Sequence, residues 1–416
     1  MHMSNKTPQT LKGFRDFLPS QKRKRDFTVQ KLIEVFEQFG FEPLETPTLE
    51  YAKLLTGKYG DEADKLLYTF EDRGKREVGL RYDQTVPTAR VLAQYQNQLP
   101  KFFRRYQIQN VFRADKPQKG RYREFMQCDI DIFNSTSPIA DADILACTYN
   151  CLLNLGFKQV KLLVNDRQVL LNTLEPFATD KLDVMSIIQS IDKLDKLSPS
   201  QVETELVSKG LAPENAKQIL DNISSAKISK SLQEIISLAQ NLGVNPDDIQ
   251  FVPTLARGLD YYTGMIFEVK IPEYSAGSCA GGGRYDNLIE DLGGPDTPAV
   301  GVAFGFDRVV EAADEAGLLP SNPATSNVLV TVFDNNTMNK SLEIASLLRQ
   351  AGIKTEVYPD LDKLAKQFKF AGQKGIPFVI VIGEEELKQN LVTLKNMATR
   401  DQSQLTLEEA ITKIRS

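Results

Sequence analysis

The stretch from Lys101 to Asn134 places the strongest constraint on the fold. Aromatic and β-branched residues dominate both of its ends, which is typical of β-strands. Between them lies FRADKPQKGRYREF, from Phe112 to Phe125, whose proline and glycine favour a polar turn. Two strands joined by such a loop predict an antiparallel sheet.

The loop in this stretch is strongly basic. The segment from Arg113 to Arg123 contains five basic residues and one acidic residue, which gives a local charge of +4. Guanidinium groups donate two parallel hydrogen bonds, a geometry that suits phosphate oxygens. A solvated basic hairpin is the alternative interpretation of the same pattern.

The length and composition of the chain limit the number of domains and the class of protein that it can be. A chain of 416 residues is too long for one ordinary core, so two or three domains are expected. Its 41% hydrophobic and 25% charged residues predict a soluble globular protein, and no apolar run approaches the roughly 18 residues of a membrane span. The start, MHMSNKTPQT, has no apolar stretch for a secretory signal. We therefore expect no membrane association.

Charge and cysteine content narrow the site chemistry. Four cysteines without a CxxC pair, and His2 as the only histidine, predict a cytoplasmic protein with no metal held by its side chains. A net charge of −5 argues against indiscriminate nucleic-acid binding but allows local basic surfaces.

Composition changes along the chain suggest four segments. We expect a core built from residues 1–170 and 251–320, interrupted by a helical insertion over residues 171–250. The segment LPSNPATSN, Leu319 to Asn327, is typical of a linker. Beyond it, residues 326–416 alternate strand and helix, which predicts a small α/β domain with a largely parallel sheet.

Two other patterns leave their roles open. The glycines of GGGRYD, Gly281 to Asp286, let a backbone approach a ligand, but structural turns are the favoured interpretation. In QCDID, the strand period of two places Asp129 and Asp131 on one side. This pair suits a metal ion, a cationic substrate or simply water.

An arginine-rich phosphate site without a P-loop resembles that of class II aminoacyl-tRNA synthetases, and most closely the histidyl-tRNA synthetase family. GFEPLETPTLE resembles the motif 1 dimer segment, FRADKPQKGRYREF resembles motif 2, and AVGVAFGFDRV resembles motif 3. ARGLDYYTG and AGGGRYD are similar to the two histidine-pocket signatures of that family. The resemblance covers nearly the whole chain. It implies an α+β catalytic core, with an antiparallel sheet flanked by helices and a carboxyl-terminal α/β anticodon-binding domain.

The resemblance also implies an activity and its residues. Histidine would be activated with ATP and transferred to tRNA-His, a reaction whose first step needs positioned positive charge and no base. The implied catalytic residues are Arg113 and Arg257. Those implied to bind ATP are Arg113, Arg121, Phe125 and Arg308. Those implied to bind histidine are Asp83, Thr85, Arg113, Gln127, Asp131, Arg257, Tyr261, Tyr262 and Tyr285.

The implied partners are L-histidine, ATP with Mg²⁺, tRNA-His and a second copy of the chain in a homodimer. Candidate tRNA contacts are Lys116, Lys119, Lys363 and Lys366. Asp131 stands where the family often has a longer glutamate, and RYDQT replaces the commoner ammonium-binding loop.

Two alternatives belong to other classes. One is a non-catalytic histidine-binding paralogue of the ATP phosphoribosyltransferase regulatory-subunit type. Such proteins lack the anticodon domain and often the catalytic arginine, whereas residues 326–416 and Arg257 are present here. The other is a different class II synthetase, against which RGLDYY and GGGRYD argue.

Overall fold

The computed structural model describes residues 7–57, 65–117, 122–257, 261–321 and 324–415. They form two compact units. One comprises residues 7–16 and 24–319, and the other comprises residues 17–23 and 320–415. The main division follows Leu319, where the predicted linker begins, and the finer domain boundaries stay predictions.

The first unit contains eleven described strands and eleven described α-helices, the first of which begins within residues 17–23 of the other unit. The strands are β1 (Glu42–Pro43), β2 (Leu49–Tyr51), β3 (Thr69–Glu71), β4 (Glu77–Leu80), β5 (Phe103–Phe112), β6 (Glu124–Phe133), β7 (Lys161–Asp166), β8 (Ile249–Phe251), β9 (Met265–Lys270), β10 (Ala280–Arg284) and β11 (Ala299–Phe304). The helices are α1 (Pro19–Gln38), α2 (Ala52–Leu55), α3 (Thr85–Tyr95), α4 (Pro138–Asn154), α5 (Arg167–Leu174), α6 (Val184–Ile191), α7 (Pro199–Ser208), α8 (Pro213–Ser224), α9 (Lys230–Asn241), α10 (Leu288–Asp291) and α11 (Phe306–Glu315).

The main sheet has eight strands in the order β1-β5-β6-β11-β10-β9-β7-β8. Pairing is antiparallel from β5 through to β7, which confirms the predicted antiparallel sheet, while β1 and β8 add parallel pairs at the edges. Strands β5 and β6 are each ten residues long and pair from Phe103 opposite Phe133 to Phe112 opposite Glu124. Strands β2, β4 and β3 form a separate small antiparallel sheet.

The glycine run near residue 282 is not a turn, contrary to the favoured interpretation of the sequence. Gly281, Gly282 and Gly283 lie inside strand β10, between β9 and β11. A Cβ on Gly282 would overlap the carbonyl oxygen of Gly301 on β11, so the residue is needed for close approach within the sheet.

Two apolar clusters hold this unit together. In the first, helices α1, α4, α9 and α11 pack against the sheet, with Phe36, Leu145 and Phe304 almost fully buried. The second joins helices α5 to α8 to Tyr262 and Tyr285. Residues 171–250 are therefore mostly helical, but helix α9 packs against α4 and the range ends in strand β8 of the main sheet.

A buried ion pair connects strand β10 to helix α4. Arg284 donates from Nε to Asp141 Oδ1 at 3.1 Å, and from Nη1 to the carbonyl oxygen of Ser135 at 2.8 Å and to Asp286 Oδ1 at 2.9 Å. Asp141 lies in the first turn of α4 and is 1% exposed. Arg284 therefore has a structural partner, although it belongs to a signature that resembles a substrate pocket.

The second unit has a five-stranded sheet in the order β13-β12-β14-β15-β16. Its strands are β12 (Val328–Val330), β13 (Thr355–Val357), β14 (Phe378–Val381), β15 (Val392–Asn396) and β16 (Gln402–Leu405). Its helices are α12 (Asn335–Gln350), α13 (Leu364–Lys374), α14 (Glu384–Gln389) and α15 (Leu407–Arg415). The predicted strand and helix alternation is confirmed. The expected largely parallel sheet is wrong, because among the described strands β12 pairs in parallel with β13 and β14, whereas β14 with β15 and β15 with β16 are antiparallel. The described helices include none long and apolar enough to cross a membrane.

We expect Arg284→Ala to lower the free energy of unfolding by about 3–5 kcal/mol, because it leaves the buried Asp141 carboxylate without its partner. Urea unfolding followed by circular dichroism measures the change. Lys196→Ala is the matched control, since it removes an ion pair whose lysine side chain is 81% exposed, and it should leave the midpoint unchanged. Equal midpoints for both variants would contradict the structural role of Arg284.

Candidate active site

A cavity of about 480 Å³ lies beside strand β6, the end of β11 and the start of α11. Arg113, Phe125 and Arg308, three of the predicted ATP-binding residues, all line it, and so does Gln127. The structure thus brings together residues from two motifs that lie far apart in the sequence. The fourth predicted residue, Arg121, lies outside the described residues.

Arg113 is held between two aromatic rings. Its Cζ atom lies 4.3 Å from the ring centre of Tyr82 and 5.2 Å from that of Phe125. Its Nε donates to the carbonyl oxygen of Tyr82 at 3.2 Å. Stacking and this single hydrogen bond orient the guanidinium, while its two terminal nitrogens donate to no described residue. A guanidinium held in this way is suited to bind an anion in the cavity.

Arg308 lines the cavity beside residues that sequence reasoning missed. Arg308 donates from Nη1 to the carbonyl oxygen of Ser278 at 3.0 Å. Its neighbour Asp307 accepts from Arg15 at 2.7 Å and also pairs with Arg25. Arg15 in turn stacks on Tyr122, which lines the cavity, with its Cζ 3.3 Å from the ring centre. The segment before helix α1 therefore supports the cavity, and only the tertiary fold reveals this.

A row of polar residues leads from the cavity into the sheet. On strand β5 the row contains Arg105, Gln107 and Gln109, and their partners on β6 are Asp131, Asp129 and Gln127. These β6 positions share one face because side chains alternate along a strand. Asp129 and Asp131 are 6% and 5% exposed, so the interpretation that they face water is wrong.

Asp131 is the centre of a buried polar group. Arg105, 1% exposed, places Nη2 at 2.6 Å from Asp131 Oδ2, and the Tyr285 hydroxyl donates to the other oxygen. Burial raises the pKa of Asp131, while the Arg105 charge opposes that rise. Sequence reasoning missed Arg105, although the alternating polar residues of RYQIQ on β5 were a signal for it.

Burial has a larger effect on Asp129. It raises the pKa of this carboxyl to about 8, against the lowering effect of Arg105 and with a further rise from Asp131 and Asp83. The side chain is consequently protonated in the free protein near neutral pH.

Arg257 occupies a constrained position. Its backbone is left-handed, with φ of 44°, which is uncommon for a residue with a side chain. Its guanidinium lies against Gly281, where a Cβ would overlap it. Its Nη1 lies 3.5 Å from Glu268 Oε1 and donates to the carbonyl oxygen of Phe267 at 3.4 Å. The sequence alone also allows Arg257 a surface ion pair with the nearby Asp260, which lies outside the described residues. Glu268 is thus a supporting residue that the sequence did not indicate.

The three predicted tyrosines form one cluster. Ring centres of Tyr261 and Tyr262 are 4.6 Å apart, and those of Tyr261 and Tyr285 are 5.9 Å apart. The Arg257 Cζ atom lies 5.9 Å from the Tyr262 ring centre. Burial raises the pKa values of Tyr261 and Tyr285, which keeps both phenols neutral hydrogen-bond donors.

Asp83 and Thr85 lie at the start of helix α3. Asp83 is 8% exposed and accepts a hydrogen bond from the Val86 amide at 3.1 Å. The neighbouring Gln84 donates from Nε2 to the carbonyl oxygens of Gln109 at 3.2 Å and Gln127 at 3.1 Å, which holds this turn beside the row. The Gln127 Oε1 atom is buried and accepts no hydrogen bond from a described residue. Asp83 and Gln127, both predicted to bind histidine, therefore supply buried acceptors on neighbouring elements.

The predicted tRNA contacts come from two parts of the chain. Lys116 is exposed in the loop after strand β5, and Lys119 lies outside the described residues. Lys363 and Lys366 are exposed near the start of α13 in the second unit, where Lys366 pairs with Asp362 at 2.7 Å. The described residues include no group of three or more His, Cys, Asp or Glu side chains placed to hold a metal ion.

Comparison with known proteins gives matches over almost the full chain. A family model described as histidyl-tRNA synthetase matches residues 13–309, and an anticodon binding domain model matches residues 327–416. A histidine–tRNA ligase of Wolinella succinogenes is 40% identical, and the match covers 98% of each chain. One from Cytophaga hutchinsonii is 37% identical over 98% of this chain and 99% of its own length.

Solved structures agree with these matches. The crystal structure of a histidyl-tRNA synthetase from Nostoc has a TM-score of 0.86 at 29% identity, covering 100% of this chain and 99% of that chain. An ATP phosphoribosyltransferase regulatory subunit/histidyl-tRNA synthetase from Bacillus halodurans has a TM-score of 0.73 at 19% identity, covering 88% of this chain and 97% of that chain. The second comparison shows a shared fold alone.

The raised pKa of Asp129 predicts a pH-dependent stability. An aspartate in the unfolded chain ionises near pH 4, whereas this buried carboxyl stays protonated to about pH 8. Its contribution to stability is therefore present below pH 4 and is lost as the pH rises towards 8. We expect Asp129→Asn to gain stability over the parent by roughly 1 kcal/mol per pH unit from pH 5 to pH 8.

Thermal unfolding at pH 5, 6, 7 and 8 measures this difference. Asp180→Asn, which makes the same chemical change at an exposed aspartate, is the control. A stability difference that stays flat with pH for Asp129→Asn would show that the Asp129 carboxyl is ionised in the folded protein.

Proposed function

The chain belongs to the histidyl-tRNA synthetase family, whose members join L-histidine to tRNA with ATP, and we propose that the site on strand β6 performs the activation step. One observation carries the proposal. Two arginines with fixed guanidinium groups, Arg113 and Arg257, lie on the same unit as the buried carboxyl of Asp131. This arrangement supplies positive charge for an anionic reaction and a polar partner for an imidazole.

The activation step needs no general base. A carboxylate oxygen of histidine attacks the α-phosphorus of ATP, the new oxygen–phosphorus bond forms, and the bond to the leaving pyrophosphate breaks. Arg113 and Arg257 hold the two anions together and neutralise charge on the transferring phosphoryl group. The rigid setting of each guanidinium, between rings for Arg113 and against Glu268 for Arg257, supports this role because preorganised charge requires little rearrangement during the reaction.

ATP occupies the cavity beside β6 in this proposal. Phe125 stacks beneath adenine, and Arg308 contacts the outer phosphates, with Arg121 as a further contact. Magnesium enters bound to those phosphates, in keeping with the oxygen ligands that this ion prefers.

Histidine lies along the polar row. Its imidazole needs polar partners on both nitrogens, which Asp131 and Tyr262 supply, with Tyr261 and Tyr285 beside them. Analogues without ring nitrogens would leave buried polar groups unpaired and be rejected strongly. Asp83 and Thr85 bind the α-ammonium together with Gln127.

Transfer to tRNA-His involves the second unit, since residues 327–416 match the anticodon-binding family. Lys363 and Lys366 contact phosphates in this proposal, and Lys116 and Lys119 contact the acceptor end. Binding should weaken as salt rises because such contacts release counterions.

We also propose a cytoplasmic homodimer. The small sheet of β2, β4 and β3 exposes Leu49, Tyr51 and Phe70, which are 46%, 52% and 48% exposed. A second copy would cover these side chains and the sheet edge. The four cysteines are buried and free, in keeping with a reducing compartment.

Purified protein with magnesium should exchange pyrophosphate into ATP only when L-histidine is present, because only imidazole matches the polar partners of the pocket. The assay measures labelled ATP with each of the twenty amino acids in turn. A non-catalytic histidine-binding paralogue would bind histidine without exchange. Equal exchange with another amino acid would contradict the substrate assignment.

Arg257→Ala should lower the exchange rate by about 10²–10³, the usual effect of removing one preorganised charge partner of a transition state. Histidine binding, measured by calorimetry, should weaken less. Arg400→Ala changes an exposed arginine of the second unit and should leave exchange unchanged. Near-normal exchange by Arg257→Ala would mean that another group carries the charge.

A further inference from the structure

Asp129 has a buried oxygen without a partner in the middle of the polar row. Its side chain is 6% exposed, and Oδ1 accepts no hydrogen bond from any described residue. It lies two residues from Gln127, whose Oε1 is also buried and unpartnered. Buried acceptors in a folded protein are normally paired, so two neighbouring exceptions indicate a missing donor.

The charged groups around Asp129 limit the chemistry of that donor. The carboxyls of Asp131, on the same strand, and Asp83, before α3, raise the pKa of Asp129 further, whereas the guanidinium groups of Arg105 on β5 and Arg113 after it lower that pKa. Strand β11, which pairs with β6 on the other side, contains no titratable residue.

The two arginines have other partners. Arg105 is held at 2.6 Å from Asp131, and Arg113 is stacked between Tyr82 and Phe125. The buried atoms of the row that lack a hydrogen bond from a described residue are one donor, Arg105 Nε, and three acceptors, Gln127 Oε1, Asp129 Oδ1 and Asp131 Oδ2, so oxygen acceptors exceed available donors. A primary ammonium group, with one positive charge and three N–H donors, fits this imbalance.

The order of side chains along β6 identifies which ammonium this is. Gln127 borders the cavity, Asp129 follows, and Asp131 lies deeper with Tyr285. If the carboxylate of histidine lies by Arg113 and its imidazole by Asp131, its α-ammonium lies between them, next to Asp129.

We propose that Asp129 is a further substrate-contacting residue, whose carboxylate binds the α-ammonium of histidine together with Gln127 and Asp83. The inference rests on the proposed function, because it takes histidine to be the ligand of the row. It goes beyond that function by assigning the principal charge partner of the ammonium to a residue on β6.

A proton is released in this binding step. Burial keeps the Asp129 carboxyl protonated in the free protein, since its pKa is raised to about 8. The arriving ammonium favours the ionised form, so the carboxyl loses its proton to solvent while the ammonium keeps its three. Histidine binding at pH 7 consequently releases nearly one proton from this site.

The test is isothermal titration calorimetry of the full chain at pH 7 in buffers of different ionisation enthalpy. The ligands are L-histidine, L-histidinol, which keeps the ammonium, and imidazolepropionate, which lacks it. We expect Asp129→Asn to lower the binding affinity for L-histidine and for L-histidinol by about 10- to 100-fold, the usual effect of losing a charge-assisted hydrogen bond. The affinity for imidazolepropionate should change less than about twofold, since this ligand has no ammonium group to contact Asp129 and its other contacts stay intact.

Proton counting gives a second measurement that does not depend on affinity. The parent should release nearly one proton more than Asp129→Asn on binding L-histidine, because any change at the imidazole is common to both proteins. The same proton release from both proteins would overturn the proposal. An equal loss of affinity for all three ligands would also overturn it, because that result would indicate a structural role for Asp129. If the parent itself binds no L-histidine, the proposed function falls together with this inference.

Discussion

The ten-residue antiparallel pairing of strands β5 and β6 is the constraint on which the site depends. Its register sets Arg105 opposite Asp131 and places Gln107 opposite Asp129. A shift of one residue would turn each of these side chains to the other face of the sheet. Arg113 directly follows β5 and therefore lies at the cavity, at the end of the strand pair. One ladder of hydrogen bonds therefore aligns the phosphate end of the site with its polar interior.

Burying a charged side chain costs desolvation free energy, yet charged side chains are buried on both faces of the main sheet. On one face Arg105 pairs with Asp131, and on the other Arg284 pairs with Asp141. The two pairs differ in what surrounds them. Arg284 is fully engaged by structural partners, whereas the row beside Arg105 leaves Asp129 without a donor. Desolvation that is fully compensated indicates a structural role, and desolvation that is not compensated indicates a place for a ligand.

Glycine in strand β10 shows how packing supports this chemistry. The guanidinium of Arg257 lies against Gly281, and the carboxyl of Asp131 lies against Gly301 on β11 in the same way. A side chain at either position would displace a charged group of the site. A glycine in a sequence is easily mistaken for a turn residue, because its residue type indicates a permissive backbone but does not show which atoms lie next to it. Their role becomes visible only when the strands are assembled.

The sequence by itself determined the elements with local signals: the β5–β6 hairpin, the helices of residues 171–250, the strand and helix alternation after residue 327, and the motifs that carry the family resemblance. Hydrophobic period and turn composition are local properties, so they can be read along the chain. Only the tertiary structure decided which buried charges meet. Arg105, Glu268 and Arg15 acquire their roles from partners 26, 11 and 292 positions away, which strand register and loop packing bring into contact with them.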